Sequence, residues 1–290
     1  MWIGYTRRLV TNPSDSMRLI SALTLVLMAG SAPAVGSQSP APADATAQAA
    51  PAAPASPAPT RIDPKAKPFL DRTLQALGGR AFLDFKTLTT HGRLFSLGGG
   101  GEGFVYYDSQ TQYPDKRRIA YGLNKKGRPI VIINNGDQGW EIDRMGQIHL
   151  ETSEIKQWRF ANRYGLENLL RLTIHEPGVL VQSAGSDFVN NVNVDIIDVI
   201  DARGTQIKLD LGRQAGLPVQ ISYRRWDPAI NDWDEYDDLY ADYRVFEGVN
   251  TPMHITRMVN GERVSEVYRS TVAYNDAYPA SLFTDPGIGH

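Results

Sequence analysis

Residues 204–274 alternate apolar and polar side chains strand after strand, and this pattern sets the fold. Ile207, Leu209 and Leu211 share one parity, with Gln206, Lys208 and Asp210 on the other. Successive strand side chains point to opposite faces, so this stretch reads as a half-buried strand. After turn residues 212–216, Leu217, Val219, Ile221 and Tyr223 repeat the pattern, and Leu239, Ala241, Tyr243 and Val245 repeat it again. Residues 248–252 are expected to turn the next hairpin. Asn260-Gly261 marks another, because a two-residue type I′ turn needs positive φ at both positions. Residues 264–274 close the series. Antiparallel strands with one apolar face each need a cover for that face.

The N-terminal part differs in kind. Met17-Arg18 precedes an apolar run over 19–29, followed by small residues. A basic start, a short apolar stretch and a small-residue zone make a secretory signal peptide, assigned to residues 1–37 with Met17 as an alternative start. The run falls short of the roughly 20 apolar residues that span a bilayer. Residues 38–61 are dominated by Ala, Pro, Ser and Thr, a composition that stays extended as a disordered linker. The folded domain is then expected over 62–290, long enough for one substantial core. The chain has no cysteine, which removes disulfides, thiol nucleophiles and zinc–thiolate sites. An exported protein without disulfides fits a bacterial periplasm or outer envelope. A net charge of −2 gives no basic field for nucleic acid.

Within the domain, Phe69, Leu70, Thr73, Leu74 and Leu77 predict a helix over 68–77, capped by Gly78-Gly79. Strands are expected over 85–97, 103–108, 116–123, 129–134 and 139–143. Gly98, Gly100 and Gly103 match the spacing of a dinucleotide-binding loop, but a strand pattern follows where a helix should, so a hairpin tip is expected. Residues 153–173 then carry Ile155, Trp158, Phe160, Tyr164, Leu166 and Leu169 at helical spacing. This predicts a helix buried around much of its circumference, with Thr152-Ser153-Glu154 at its start and Gly165 dividing it. It interrupts the strand series and is the candidate cover. In 189–200 the apolar residues shift from even positions (Val192, Val194, Ile196) to odd ones (Ile197, Val199), which predicts a β-bulge. About ten to twelve strands are expected in all.

No chemical constellation stands out. His91, His149, His175, His254 and His290 are scattered, with no H-E-x-x-H, no G-x-S-x-G and no phosphate-binding loop. A hydrolase reading has only scattered His and Asp behind it. Asp232, Asp234, Glu235, Asp237 and Asp238 are dense enough to suggest a calcium site, but they lack the glycine and spacing of a known loop, and a solvated hairpin tip is expected. The aromatics carry more information. Phe104, Tyr106, Trp140, Trp158, Phe160, Tyr223 and Tyr243 sit on strands or on the central helix and are the candidate ligand-binding residues.

Five motifs resemble a known family. They are A-L-G-G at 76–79, G-D-Q-G-W at 136–140, G-L-P-V-Q-I at 216–221, D-Y-R-V-F-E-G-V-N-T-P at 242–252 and S-L-F at 281–283. Together they resemble the LolA/LolB-like superfamily of outer-membrane lipoprotein-sorting proteins. The resemblance implies a mainly β fold with α (α+β): a single curved antiparallel sheet forming a half-open β-barrel, with a helical lid or plug over an apolar cavity. It also implies a non-enzymatic periplasmic carrier of a lipid, acyl chain or lipoprotein. The alternative is an envelope interaction or assembly protein whose cavity is filled by its own side chains. A monomer is expected, with a lipid or lipoprotein acyl chain and envelope proteins as partners, and with no cofactor, metal or nucleic acid.

Overall fold

A computed structural model describes residues 59–96, 103–122, 129–227 and 231–284. The expected signal peptide, most of the linker and the glycine-rich tip fall outside the described residues. The strands in chain order are β1 (Arg61–Ile62), β2 (Thr87–Ser96), β3 (Gly103–Gln112), β4 (Lys116–Tyr121), β5 (Ile130–Asn135), β6 (Gln138–Asp143) and β7 (Gly146–His149). They continue as β8 (Leu180–Val189), β9 (Val192–Ile200), β10 (Gln206–Gly212), β11 (Pro218–Asp227), β12 (Asp232–Phe246), β13 (Val249–Val259) and β14 (Glu262–Tyr274). The helices are α1 (Lys67–Ala76), α2 (Arg80–Asp84), α3 (Thr152–Tyr164) and α4 (Leu166–Arg171).

All fourteen strands form one sheet in the order β1-β8-β9-β10-β11-β12-β13-β14-β2-β3-β4-β5-β6-β7, open at both ends. The sheet is mixed, where a purely antiparallel one was expected. Arg61 and Ile62 of β1 pair in parallel with Leu180 and Val181 of β8. These strands lie far apart in sequence, so no hairpin forces them antiparallel. The extra strands are short ones, β1 and β7, which no alternation pattern reveals.

The turns follow from backbone sterics. Asn260 (φ 52°) and Gly261 (φ 78°) join β13 to β14 as expected for a type I′ turn. Glu247 (φ 49°) and Gly248 (φ 83°) do the same between β12 and β13, so the turn is tighter than the expected 248–252, and 249–252 already belong to β13. The bulge expected in 189–200 is absent from β9, which runs in unbroken register against β10; it lies on β8, where Ser183 pairs with Ile197 and Gly185 with Ile196, leaving Ala184 as the extra residue.

Gly165, in extended backbone, separates α3 from α4. Glu151, one residue before the expected start, caps α3, and its amide donates to the Glu154 carboxylate at 2.7 Å. Burial along the pair is uneven. α4 buries Leu166, Leu169 and Leu170, whereas α3 buries only Trp158 and Tyr164. The broad burial expected over 153–173 therefore belongs to α4, because Lys156, Arg159 and Arg163 on α3 need solvent or partners. α2 escapes sequence detection because five residues are too few to show a helical period; it buries Phe82.

The main core joins α1, α2 and α4 to one face of the sheet. Leu70, Leu77, Leu169 and Leu170 meet Val181, Ile197, Val199, Ile207, Leu209, Leu211 and Ile221. A smaller core of Ala120, Val131, Ile133 and Trp140 lies on the opposite face of β4–β6, closed by Phe283 from a 3-10 turn (Ala280–Phe283).

Candidate functional site

The inner faces of β12, β13, β14, β2, β3 and β4, six neighbours in the sheet, surround a cavity of 350 Å³. Strand parity decides what reaches it. On β3, Tyr107, Ser109 and Thr111 point in; on β4, Arg117, Ile119 and Tyr121 do. Two bulges on β14 lie beside this wall. Val264 is extra between the Arg257–Ser265 and Met258–Arg263 pairs, and Ser270 is extra between Arg269–Gly92 and Thr271–His91. Bulges bend a strand and re-aim its side chains. Here they flank Arg257 and Arg269, both of which line the cavity.

α3 and α4 roof the cavity through Trp158, Asn162, Leu166 and Glu167. Polar ties hold the roof at its margins. The side-chain amides of Asn162 and Asn168 both donate to the Pro114 carbonyl, at 2.8 and 2.9 Å. Arg163 pairs with Glu176 at 2.8 Å. The Tyr164 hydroxyl donates to Asp201 at 2.7 Å, and Asp201 also accepts the amides of Arg203 and Thr205 at 2.9 Å each. Burial pushes the Asp201 carboxyl up, but these donors and Arg163 outweigh it and hold the group below the usual carboxylate range. Arg171 lies over the Phe85 ring at 3.9 Å and donates to the carbonyls of Leu83 and Phe85.

The cavity has two chemistries. Leu88, Leu94, Ile119, Leu166, Ile255 and Val267 make an apolar wall. Arg117, Arg257 and Arg269 bring three guanidiniums, against the carboxylates of Asp238 and Glu167. Arg257 is satisfied: its Nε and Nη2 donate to the two Asp238 oxygens at 2.7 and 2.9 Å, and Asp238 raises its pKa further. Arg269 donates to the Pro252 carbonyl at 3.0 Å. Burial lowers its pKa, but Glu167 and neighbouring tyrosines more than offset this. Arg117 differs. Burial lowers its pKa, Arg257 adds to that, and only Tyr121 and Tyr113 act the other way.

Of the seven residues singled out in the sequence, Trp158 lines the cavity. It also faces a second cavity of 480 Å³ outside the roof, which Phe160 lines as well. Tyr223 is buried in the main core, with Phe160, Tyr164 and Tyr236 packed around its ring. Tyr243 packs on the same core and donates to the Pro218 carbonyl at 2.8 Å. Phe104 and Tyr106 lie on the other face of β3, beside Phe95 and Arg93. Trp140 belongs to the small core on that same far side of the sheet. The structure thus does not bring the seven together.

The acidic run is strand β12, not the expected hairpin tip, and its side chains have partners. Asp237 accepts from Ser222 and Gln220, Asp238 from Arg257, and Asp234 from Asn260. Among the described residues, no group of three or more His, Cys, Asp or Glu is arranged to hold a metal. The arginines were missed in sequence, yet they carry a signal. Arg257 is in phase with Ile255, Arg269 with Val267, and Arg117 with Ile119 and Tyr121, so each breaks an otherwise inward parity.

No sequence-family profile matches the chain, and no curated protein sequence does. Solved structures match along most of its length, as the sequence resemblance implied. A DUF1329 family protein from Desulfovibrio piger superposes with a TM-score of 0.52 at 8% identity, over 76% of this chain and 98% of that one. The likeness is one of fold. A LolA superfamily protein from Nitrosomonas europaea gives 0.48 at 12% identity, over 76% of this chain and 98% of that one. A domain named for outer membrane lipoprotein sorting, from Vibrio parahaemolyticus, gives 0.48 at 10% identity, over 74% and 97%. Among the described residues, no helix is long and apolar enough to cross a membrane, which says nothing of strands.

Proposed function

We propose that this protein is a non-enzymatic, exported carrier that holds an acyl chain in the roofed cavity, the open sheet acting as a half-barrel and α3 and α4 as its lid. The observation that carries this reading is the cavity itself: 350 Å³ with an apolar wall between sheet and roof. Small-molecule sites run from about 300 to 1,000 Å³, so this one is sized for a single small ligand. Its apolar wall of Leu88, Leu94, Ile119, Ile255 and Val267 suits an alkyl chain. The signal-peptide pattern over residues 1–37 supports the placement in a bacterial envelope.

Native mass spectrometry of protein purified from a bacterial envelope tests this. The carrier reading expects an adduct of lipid mass, lost on delipidation, and saturable uptake of a fluorescent fatty acid by the stripped protein. If no adduct is present and no probe binds, the assembly-protein reading takes its place.

A further inference from the structure

We infer that the cavity selects an amphiphile through one acidic group, a carboxylate or a phosphate, seated at Arg117. The inference rests on the carrier reading above and adds the chemical class of its ligand.

The cavity carries one more positive than negative side chain, because three guanidiniums face two carboxylates. The three differ in their protein partners. Arg257 is held by both oxygens of Asp238. Arg269 makes no ion pair among the described residues, but it donates to the Pro252 carbonyl at 3.0 Å. Arg117 has no carboxylate within ion-pair distance among the described residues, and its Nε is buried without a protein partner. Arginine stays protonated in proteins, so this is a half-buried cation on the cavity wall, its Nε closed to solvent, with no counter-charge among the described residues. Such a group is costly unless an anion joins it. A second orphan donor lies in the lining: the Trp158 indole N–H. Neither donor can be satisfied by a hydrocarbon. An acid headgroup supplies the acceptor that Arg117 lacks, and Arg117 presents a planar fork suited to carboxylate or phosphate. The apolar wall formed by Leu88, Leu94, Ile119 and Val267 takes the chain behind it.

Calorimetric titration of the exported chain with lauric acid, lauryl alcohol and inorganic phosphate tests this, on wild type, Arg117→Met and Arg117→Lys. The expected result is that lauric acid binds at least about tenfold more tightly than the alcohol, the worth of one charge-assisted pair. Arg117→Met removes that preference, so that acid and alcohol bind alike. Arg117→Lys, which keeps the charge without the fork, retains part of it. Equal binding of acid and alcohol to wild type, or a preference that survives in Arg117→Met, overturns the headgroup assignment while the carrier reading stands. Tight binding of inorganic phosphate, with no added affinity from an alkyl chain, upholds the anion site and overturns the carrier reading. If none of the three binds wild type, both fall.

Discussion

Trp158→Ala separates a cavity wall from a core filler. The ring is 6% exposed and stands between the two cavities. In a packed core, cutting Trp to Ala costs about 3–5 kcal/mol. Two features lower that figure here. Open space already borders the ring on two sides, and at about 24 cal/mol per Å³, every ~50 Å³ of pre-existing void removes ~1 kcal/mol from the penalty. The indole N–H has no protein partner, and an unsatisfied buried donor costs ~1–3 kcal/mol, which the substitution relieves. The expected loss is therefore ~1–3 kcal/mol, a fall in Tm of ~2–12 °C for a domain of this size. Urea unfolding followed by circular dichroism measures it. A fluorescent fatty acid titration run in parallel should show roughly tenfold weaker binding, as the apolar wall is lost and the two cavities merge. A loss of ~4 kcal/mol or more, with a wild type that takes up no probe, would refute the reasoning: the ring would then be filling core.

Three further outcomes test the roof and the charged lining. Asp201→Asn should cost ~1–3 kcal/mol near neutral pH, because the carboxylate gathers three donors from α3 and the β9–β10 turn. Its folded pKa lies below the unfolded value of about 3.9, so its stabilisation is present above that pH and lost as pH falls through the folded value. Urea midpoints of wild type and variant should accordingly converge below about pH 4, and a gap that stays constant with pH would count against the assignment. Asp238→Asn should cost ~2–4 kcal/mol, somewhat under the figure for a fully enclosed pair because Arg257 reaches the cavity, while the double change Asp238→Leu with Arg257→Met should recover most of it; a double variant as unstable as the single one sinks the pair argument. Phe104→Ala and Tyr106→Ala, on the far face of β3, should leave fatty acid affinity within about twofold of wild type, and a larger drop in the titration would move the site to that face.

Much of the fold was legible because it rests on local rules. Period-two alternation in β10 and β11, and two positive-φ turn residues at Asn260-Gly261, are local and were readable. Gly165 interrupts the helical pattern where the structure does. What escaped depends on long-range pairing. β1 is two residues long, and only its partner 119 positions away makes it a strand. The bulge is on β8, not in the β9 stretch whose parity slip suggested one. The site was legible only in part, because an aromatic at strand parity looks the same whether its face holds ligand, core or solvent. Trp140 and Tyr107 carry equal apolar weight in sequence, yet the sheet places them on opposite faces. Arginines at inward parity were the better signal, since a packed core rejects them.

The division of labour within the sheet follows from the same reasoning. The inward positions of β8–β11 are Val181, Ile197, Val199, Ile207, Leu209, Leu211 and Ile221, all closed to solvent and all interlocked with α1 and α4. The inward positions of β2, β3 and β14 include Thr90, Ser96, Ser109, Thr111, Ser265 and Arg269. Hydroxyls and guanidiniums cannot interdigitate with leucine without losing hydrogen bonds, each worth about 1 kcal/mol net and more when left unmade. One half of the sheet can therefore be sealed by a helix, and the other cannot collapse onto its roof. α3 matches this division: two buried side chains, with polar ties at the margins where α4 has three buried leucines. On the carrier reading proposed above, the more polar half is the one that would admit a ligand, while the β8–β11 half keeps the chain folded.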